Sequence, residues 1–225
     1  MGIHQYQRIL TGVFFLFAIF LRLLLFLANP PDNTFDDHFE PIFLIMEEGT
    51  IPAKQDCWEC FQPPVFYLLS ATIGNVALAQ TNVNLEQLRK LFQFLPCLYG
   101  ILTVYIIYLI LKRVNISEFA RVLSFGMVCF LPRHIYMSAM HTNDTLSYLL
   151  VTLSAYLMLV VIDRTFTSEN VGEITDFSLL VQEPHNLQVT RKVPSLQTYF
   201  LMLVLLLVIL LTLFSKSTAL VLIPM

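Results

Sequence analysis

The chain has 225 residues, 56 % of them hydrophobic and only 13 % charged, with a mean hydropathy of +0.70. A water-soluble domain carries about 25 % charged residues, so the composition excludes a soluble globule and a disordered chain and leaves a polytopic membrane protein. A net charge of −3 also argues against a nucleic-acid partner. The few charges are unevenly placed: eight of the sixteen acids fall between Asp32 and Glu59.

A membrane helix needs about 20 mostly apolar residues. Taken in chain order, the first such stretch is Ile9 to Ala28, with Arg22 its only charge. Its length and the lack of a small-residue cleavage site before Pro30 argue against a cleaved signal peptide. Leu91 to Leu111 follows, then Phe119 to Ile135, with Arg121 and Arg133 near its ends. Thr145 to Ile162 and Tyr199 to Phe214 come next. Lys216 interrupts the last run before the apolar Ala219 to Pro224, and the chain stops at Met225 inside it, as a piece of a longer protein would.

Val65 to Ala79 is shorter, follows Pro63-Pro64 and contains Ser70, Gly74 and Asn75. Charge bias decides its role. Arg8 precedes the first span, and Lys112, Arg113 and Arg121 follow the Leu91 span. If all four face the cytosol, an even number of crossings separates them, and Val65 to Ala79 lies on the outer leaflet as an interfacial helix. The resulting tally is seven Lys or Arg inside, four outside (Lys54, Arg89, Lys90, Arg133) and two within the membrane (Arg22, Lys216).

The predicted fold is therefore an all-α membrane bundle of about five to six spans. Residues 1–28 form the cytosolic end and first span. Residues 29–90 form a long outer loop bearing juxtamembrane helices. A three-span core occupies 91–162, a polar cytosolic loop 163–197, and further span or spans 198–225.

The outer loop reads Asp32-Asn-Thr-Phe-Asp-Asp-His-Phe-Glu40, then Glu47-Glu48-Gly-Thr-Ile-Pro52, then Asp56-Cys-Trp-Glu-Cys-Phe-Gln-Pro-Pro64. Asp36 and Asp37 follow the first span closely, where a carboxylate can serve as general base on a hydroxyl beside a lipid-borne substrate. A merely solvated acidic loop is the alternative, which neighbouring His38 weakens. The second outer loop runs from Arg133-His134 through His141-Thr-Asn-Asp144. Asp144 opens the next span, either as a helix cap with Asn143 or as a second acid facing the first. Lys216 is expected near the same face, snorkelling to headgroups or holding a lipid phosphate. Two acids and a cation on one face are what displacement of a phosphate leaving group needs.

Cys57 and Cys60, outside the cytosol, read as a disulfide or free thiols ahead of a zinc site, since no full ligand set accompanies them. Cys97 and Cys129 lie in spans and read as core. Asn115-Ile-Ser falls on the cytosolic side, and Asn143-Asp-Thr lies close to the membrane, so neither is an expected glycosylation site. No Walker, dinucleotide-binding or zincin motif is present, nor an internal repeat.

Four of these segments, in this order, resemble the GT-C superfamily of polyprenyl-phosphate-sugar glycosyltransferases. The branch of dolichyl-phosphate-mannose protein mannosyltransferases and bacterial lipid A aminoarabinose transferases is the most similar. The segments are Asp36-Asp-His-Phe39 with Gly49-Thr-Ile-Pro52, Gln62-Pro-Pro-Val-Phe-Tyr-Leu-Leu69, Leu131-Pro to Asn143-Asp-Thr-Leu146, and Ser215-Lys-Ser-Thr-Ala-Leu220. The resemblance implies a cytosolic amino terminus, a cavity at the outer leaflet, and an Asp of the first outer loop as catalytic base, here Asp36 or Asp37. Members of the family have more spans than this chain, often followed by a carboxy-terminal outer domain.

The implied function is inverting transfer of a sugar from a polyprenyl- or dolichyl-phosphate donor to a hydroxyl of an acceptor protein or glycolipid. The membrane would be the plasma membrane or the endoplasmic reticulum. Asp36, Asp37 and Asp144 are the candidate catalytic residues. His38, Gln62, Arg133, His141, Asn143 and Lys216 are the candidate substrate-binding residues. No definite cofactor follows from the sequence, and a divalent metal stays open, since Asp36, Asp37, His38, His141 and Asp144 can be drawn as a ligand set. The alternatives are a transporter or lipid-binding protein, with Arg22 and Lys216 along a path, and a non-catalytic piece that assembles with a partner.

Overall fold

A computed structural model describes residues 3–31, 38–168, 189–191 and 195–215. Its elements in chain order are α1 (Ile3–Ala28), α2 (Phe39–Glu48), α3 (Val65–Gln80), α4 (Leu85–Arg113), α5 (Glu118–Cys129), α6 (Pro132–Met137), α7 (Asp144–Thr165), β1 (Phe166–Ser168), β2 (Val189–Arg191) and α8 (Leu196–Leu213). Among the described residues the regular structure is helical apart from the antiparallel pair β1–β2, in which Phe166 faces Arg191 in register. That short ribbon closes the two ends of a segment the sequence reads as plain loop.

Among the described residues, four helices are long and apolar enough to cross a membrane: Gln5–Ala28, Leu85–Arg113, Asp144–Thr165 and Leu196–Leu213. They start and stop where side chains meet the unpaired groups of a helix end. Asn84 and Gln87 form a reciprocal capping box at the start of α4, and Lys112 and Arg113 close its last turn. Ser117 caps α5, and Ser195 caps α8. Gly49 ends α2 in the left-handed region, φ 69°, which glycine adopts at no steric cost.

The predicted stretch Phe119 to Ile135 is not one continuous helix. It divides into α5 and the short α6 at Phe130-Leu131. Pro132 cannot donate a backbone hydrogen bond and disfavours helical geometry in the residue before it; Leu131 accordingly turns extended, at ψ 110°. Val65 to Ala79 is a separate apolar helix, α3, of 16 residues.

Side-chain contacts orient the helices. Arg113 pairs with Asp163 at 2.7 Å, joining the carboxyl ends of α4 and α7, so these two run parallel. Arg164 donates to Gln197 Oε1 at 3.4 Å, and Ser147 Oγ meets Ser215 Oγ at 3.0 Å, so α8 runs back along α7. Lys90 Nζ donates to the Phe26 and Asn29 carbonyls, both at 2.8 Å, tying the start of α4 to the end of α1. The α5–α6 segment, which follows α4 in the chain and precedes α7, returns along the bundle packed against α1 and α4. One end of the bundle thus gathers the carboxyl ends of α1, α6 and α8 with the amino ends of α2, α3, α4 and α7.

Two apolar clusters hold the bundle. Phe39, Ile42, Phe66, Ala71, Phe92 and Leu146 join α2, α3, α4 and α7 at that end. Ala18, Val104, Phe125 and Cys129 join α1, α4 and α5. Gly100 lets α4 approach α6 closely: a Cβ there would lie 2.7 Å from the Ser138 Cβ. Outward faces of α1 and α8 expose Leu16, Phe20, Leu27, Phe200, Leu203 and Leu206, as surfaces turned to lipid do.

Candidate functional site

The segment between α6 and α7, residues 138–143, is the floor of the site. Ser138 is held by the His134 carbonyl at 2.6 Å, and Gln93 Nε2 donates to the Ala139 carbonyl at 2.8 Å and the Pro30 carbonyl at 3.2 Å. One amide from α4 therefore fixes both the end of the first span's extension and the loop that carries His141. Lys90 Nζ, at 2.9 Å from Gln93 Oε1, orients that amide. Gln93 is fully buried, and this network satisfies it.

His141 stands inside an aromatic box. Its ring stacks on Phe39 at 4.2 Å with planes 3° apart, and Phe66 and Phe92 stand at 5.3 and 6.0 Å. His38, just before α2, presents its ring edge at 6.3 Å and meets the Tyr67 hydroxyl through Nδ1 at 2.8 Å. Arg89 lies over the Phe39 ring at 5.6 Å, a cation on an aromatic face. Neither nitrogen of His141 has a hydrogen-bond partner among the described residues. Burial, reinforced by His38, holds its pKa well below the ordinary 6.5.

This shift has a sign. The folded protein binds the His141 proton less readily than the unfolded chain does, so the stability that neutral His141 allows is complete above about pH 6.5 and is lost as pH falls below it. Thermal unfolding in a bilayer mimetic is expected to show a midpoint that drops between neutral pH and pH 5. His141→Phe, which fits the same box without a titrating group, should flatten that drop. An unchanged slope in the variant would remove His141 as its source.

Beside the box, Asn143 is buried and reaches Gln62 Oε1 through Nδ2 at 3.5 Å. Asp144 begins α7, where the helix dipole favours a carboxylate. The Thr142 hydroxyl accepts from its backbone N–H at 3.3 Å. The Tyr148 hydroxyl lies 3.5 Å from Asp144 Oδ2, and Arg133 Nη2 lies 4.0 Å away. The Arg133 side chain is 74 % exposed while Asp144 is buried, so the guanidinium is the accessible charge of this pair. Phe214, at the end of α8, accepts from the Val65 N–H at 3.3 Å, which brings the carboxyl end of α8 to the start of α3.

Six predicted site residues from separate segments, His38, Gln62, Arg133, His141, Asn143 and Asp144, thus meet at one end of the bundle. His141 and Asn143 are enclosed, and Arg133 is open to solvent. Asp36, Asp37 and Lys216 lie outside the described residues. Cys57 and Cys60 form a disulfide that closes the turn leading to Gln62, and Cys97 and Cys129 are free and buried. Among the described residues no three His, Cys, Asp or Glu gather into a metal-binding group.

Beneath the floor lies a pair that the sequence marks only as an intramembrane arginine. Arg22 is fully buried. Its Nη1 donates to the Ala18 carbonyl at 2.9 Å and the Cys129 carbonyl at 3.4 Å, and its Nη2 meets His134 Nδ1 at 2.6 Å. A guanidinium has donors only, so His134 Nδ1 must accept and the ring is neutral, with its proton on Nε2. The pair joins α1 to the α5–α6 break. Sequence gives a signal for Arg22 and for Gln93, a lone charge and a lone amide in apolar runs. It gives none for His134 as the partner, which lies 112 residues away from Arg22.

Comparison with protein-family models, with curated proteins and with solved structures finds no match to this chain.

Proposed function

We propose that this chain is part of an integral-membrane glycosyltransferase that moves a sugar from a polyprenyl- or dolichyl-phosphate donor to an acceptor hydroxyl on the non-cytosolic side. The observation that carries the reading is the meeting of His38, Gln62, Arg133, Asn143 and Asp144 at the bundle end opposite Arg8, Lys112, Arg113, Arg121 and Arg164. Cations concentrate on the cytosolic side of membrane proteins, so the assembled end faces outward. In that orientation α5–α6 makes a fifth, broken crossing, and α2 and α3 belong to the outer loop.

In this reading Asp36 or Asp37 accepts the acceptor's hydroxyl proton as its oxygen bonds to the anomeric carbon. The bond from that carbon to the phosphate oxygen breaks on the opposite face, which inverts the configuration. The electron pair leaves with the lipid phosphate, whose charge Arg133 and Lys216 offset. Asp144 supports the first acid or orients the acceptor. His38 and Gln62 shape the acceptor side, and His141, enclosed in its box, holds the loop that carries Asn143 and Asp144.

The second reading is a transporter or lipid-binding protein, for which a buried charge such as Arg22 at membrane depth is the favouring observation. A transfer assay separates the two. The protein is incubated with a panel of labelled polyprenyl-phosphate sugars and acceptor peptides or glycolipids, with and without chelator. Labelled product with inverted configuration supports the transferase. Flux of label across vesicles without any product supports the transporter.

A further inference from the structure

A cavity opens at the other end of the bundle from the candidate site, between α1, α4 and α5. Its volume is about 550 Å³, within the range of small-molecule sites. Three cations line it, Arg8 from α1, Lys112 from α4 and Arg121 from α5, against one carboxylate, Glu118. Its walls are aromatic, from Phe15, Tyr105, Tyr108 and Phe125.

The three cations are not equivalent. Arg121 is spent on structure: Nε donates to the Leu111 carbonyl at 3.0 Å, Nη2 to the Ile116 carbonyl at 3.4 Å and Nη1 to Glu118 at 2.6 Å. It holds the α4–α5 turn, and Glu118 cancels its charge. Arg8 and Lys112 have no carboxylate partner among the described residues. Lys112 Nζ rests 5.5 Å above the Tyr108 ring, which steadies the ammonium without neutralising it. Two uncompensated cations therefore face one cavity whose walls are apolar.

We propose that this cavity binds the phosphate group of an anionic phospholipid from the adjacent leaflet. A phosphate offers several acceptor oxygens to the Arg8 guanidinium and the Lys112 ammonium at once. The aromatic walls suit the glycerol and upper acyl carbons, and the exposed Leu16, one turn beyond Gly12 on α1, and Leu102, one turn before Tyr105 on α4, offer apolar surface for the chains. A free phosphate in water has no use for those walls. Basic pockets between membrane helices on the cytoplasmic side are suited to anionic headgroups. The inference is independent of sugar transfer, since it concerns the opposite end of the bundle.

Gly12 supplies a clean test. It lines the cavity, and a Cβ added there would meet nothing within 4 Å, so Gly12→Leu fills the space without striking the backbone. The full chain is reconstituted in nanodiscs of phosphatidylcholine containing phosphatidylglycerol, and retained lipid is read by native mass spectrometry. Phosphatidylglycerol should be retained over phosphatidylcholine. R8Q/K112Q should weaken that retention roughly thirtyfold, about tenfold or less for each cation removed. Gly12→Leu should abolish it with both cations in place, while its unfolding midpoint in pure phosphatidylcholine stays unchanged. Retention unaltered in both variants overturns the proposal. Equal displacement by soluble glycerol phosphate also overturns it, because the site would then take a free anion.

Discussion

Asp36→Asn or Asp37→Asn should lower sugar transfer by about 10²–10⁴-fold, the contribution a positioned general base typically makes. The substitution keeps the side chain's volume and removes its ability to take a proton, so donor binding should hardly change. The loss is expected in kcat rather than in KM, because proton removal develops in the transition state. Single-turnover assays on both variants and on the double identify the base as the position whose loss the double does not exceed. Transfer at the full rate in all three would end the assignment of the base to this pair. Asp144→Asn serves as the contrast. Asp144 is buried at the start of α7 with Tyr148 and Arg133 beside it, so its variant should also shift the unfolding midpoint.

His134→Leu should cost about 3 kcal/mol of stability, because it strips the acceptor from a buried guanidinium. Arg22→Met should cost much less, since it removes the charge together with its need for partners and leaves an apolar chain of similar length among Ala18, Val104 and Cys129. The double variant then tests the coupling directly. With the arginine gone, His134→Leu should lose most of its penalty, and reversible unfolding in detergent or nanodiscs measures the difference. Penalties that simply add would mean that the 2.6 Å contact carries no energy of its own. If this pair supports the floor beneath His141, His134→Leu should also flatten the pH dependence of unfolding that His141 confers.

The membrane character and most helix positions could be read without coordinates. Apolar runs long enough to span identify α1, α4, α7 and α8, because a helix in lipid must satisfy its backbone internally and dress itself in apolar side chains. The ends shifted by several residues: α4 begins at Leu85 rather than Leu91, because its first turn is polar and amphipathic yet capped by Asn84 and Gln87. The division of α5 from α6 was present in the sequence as Leu131-Pro132, but hydropathy averages over a single proline and reads straight through it.

For the site, the candidates could be picked out of the sequence by residue type. Charges and histidines are expensive near a membrane, so the few that occur there stand out, and His38, Arg133, His141 and Asp144 were visible one by one. Their grouping was not visible. Gln62 meets Asn143 across 81 residues, and Gln93 meets Ala139 across 46, through helix packing that no local pattern encodes. The enclosure of His141 was equally hidden, since a histidine in an outer loop looks solvated until Phe39, Phe66 and Phe92 are seen around it.

By itself the sequence determined that this chain belongs in a membrane, because 13 % charge cannot cover a globule with a wet surface. It determined as well which helices form and where the acids concentrate, since these follow from local composition and from the caps at helix ends. Tertiary structure alone decided that buried Arg22 donates to a neutral histidine 112 residues away, and that His141 is walled in. It also decided that Arg8 and Lys112, distant in the chain, share one cavity. Each of these depends on which faces of the helices meet, and that is set by packing over the whole bundle rather than by any neighbouring residues.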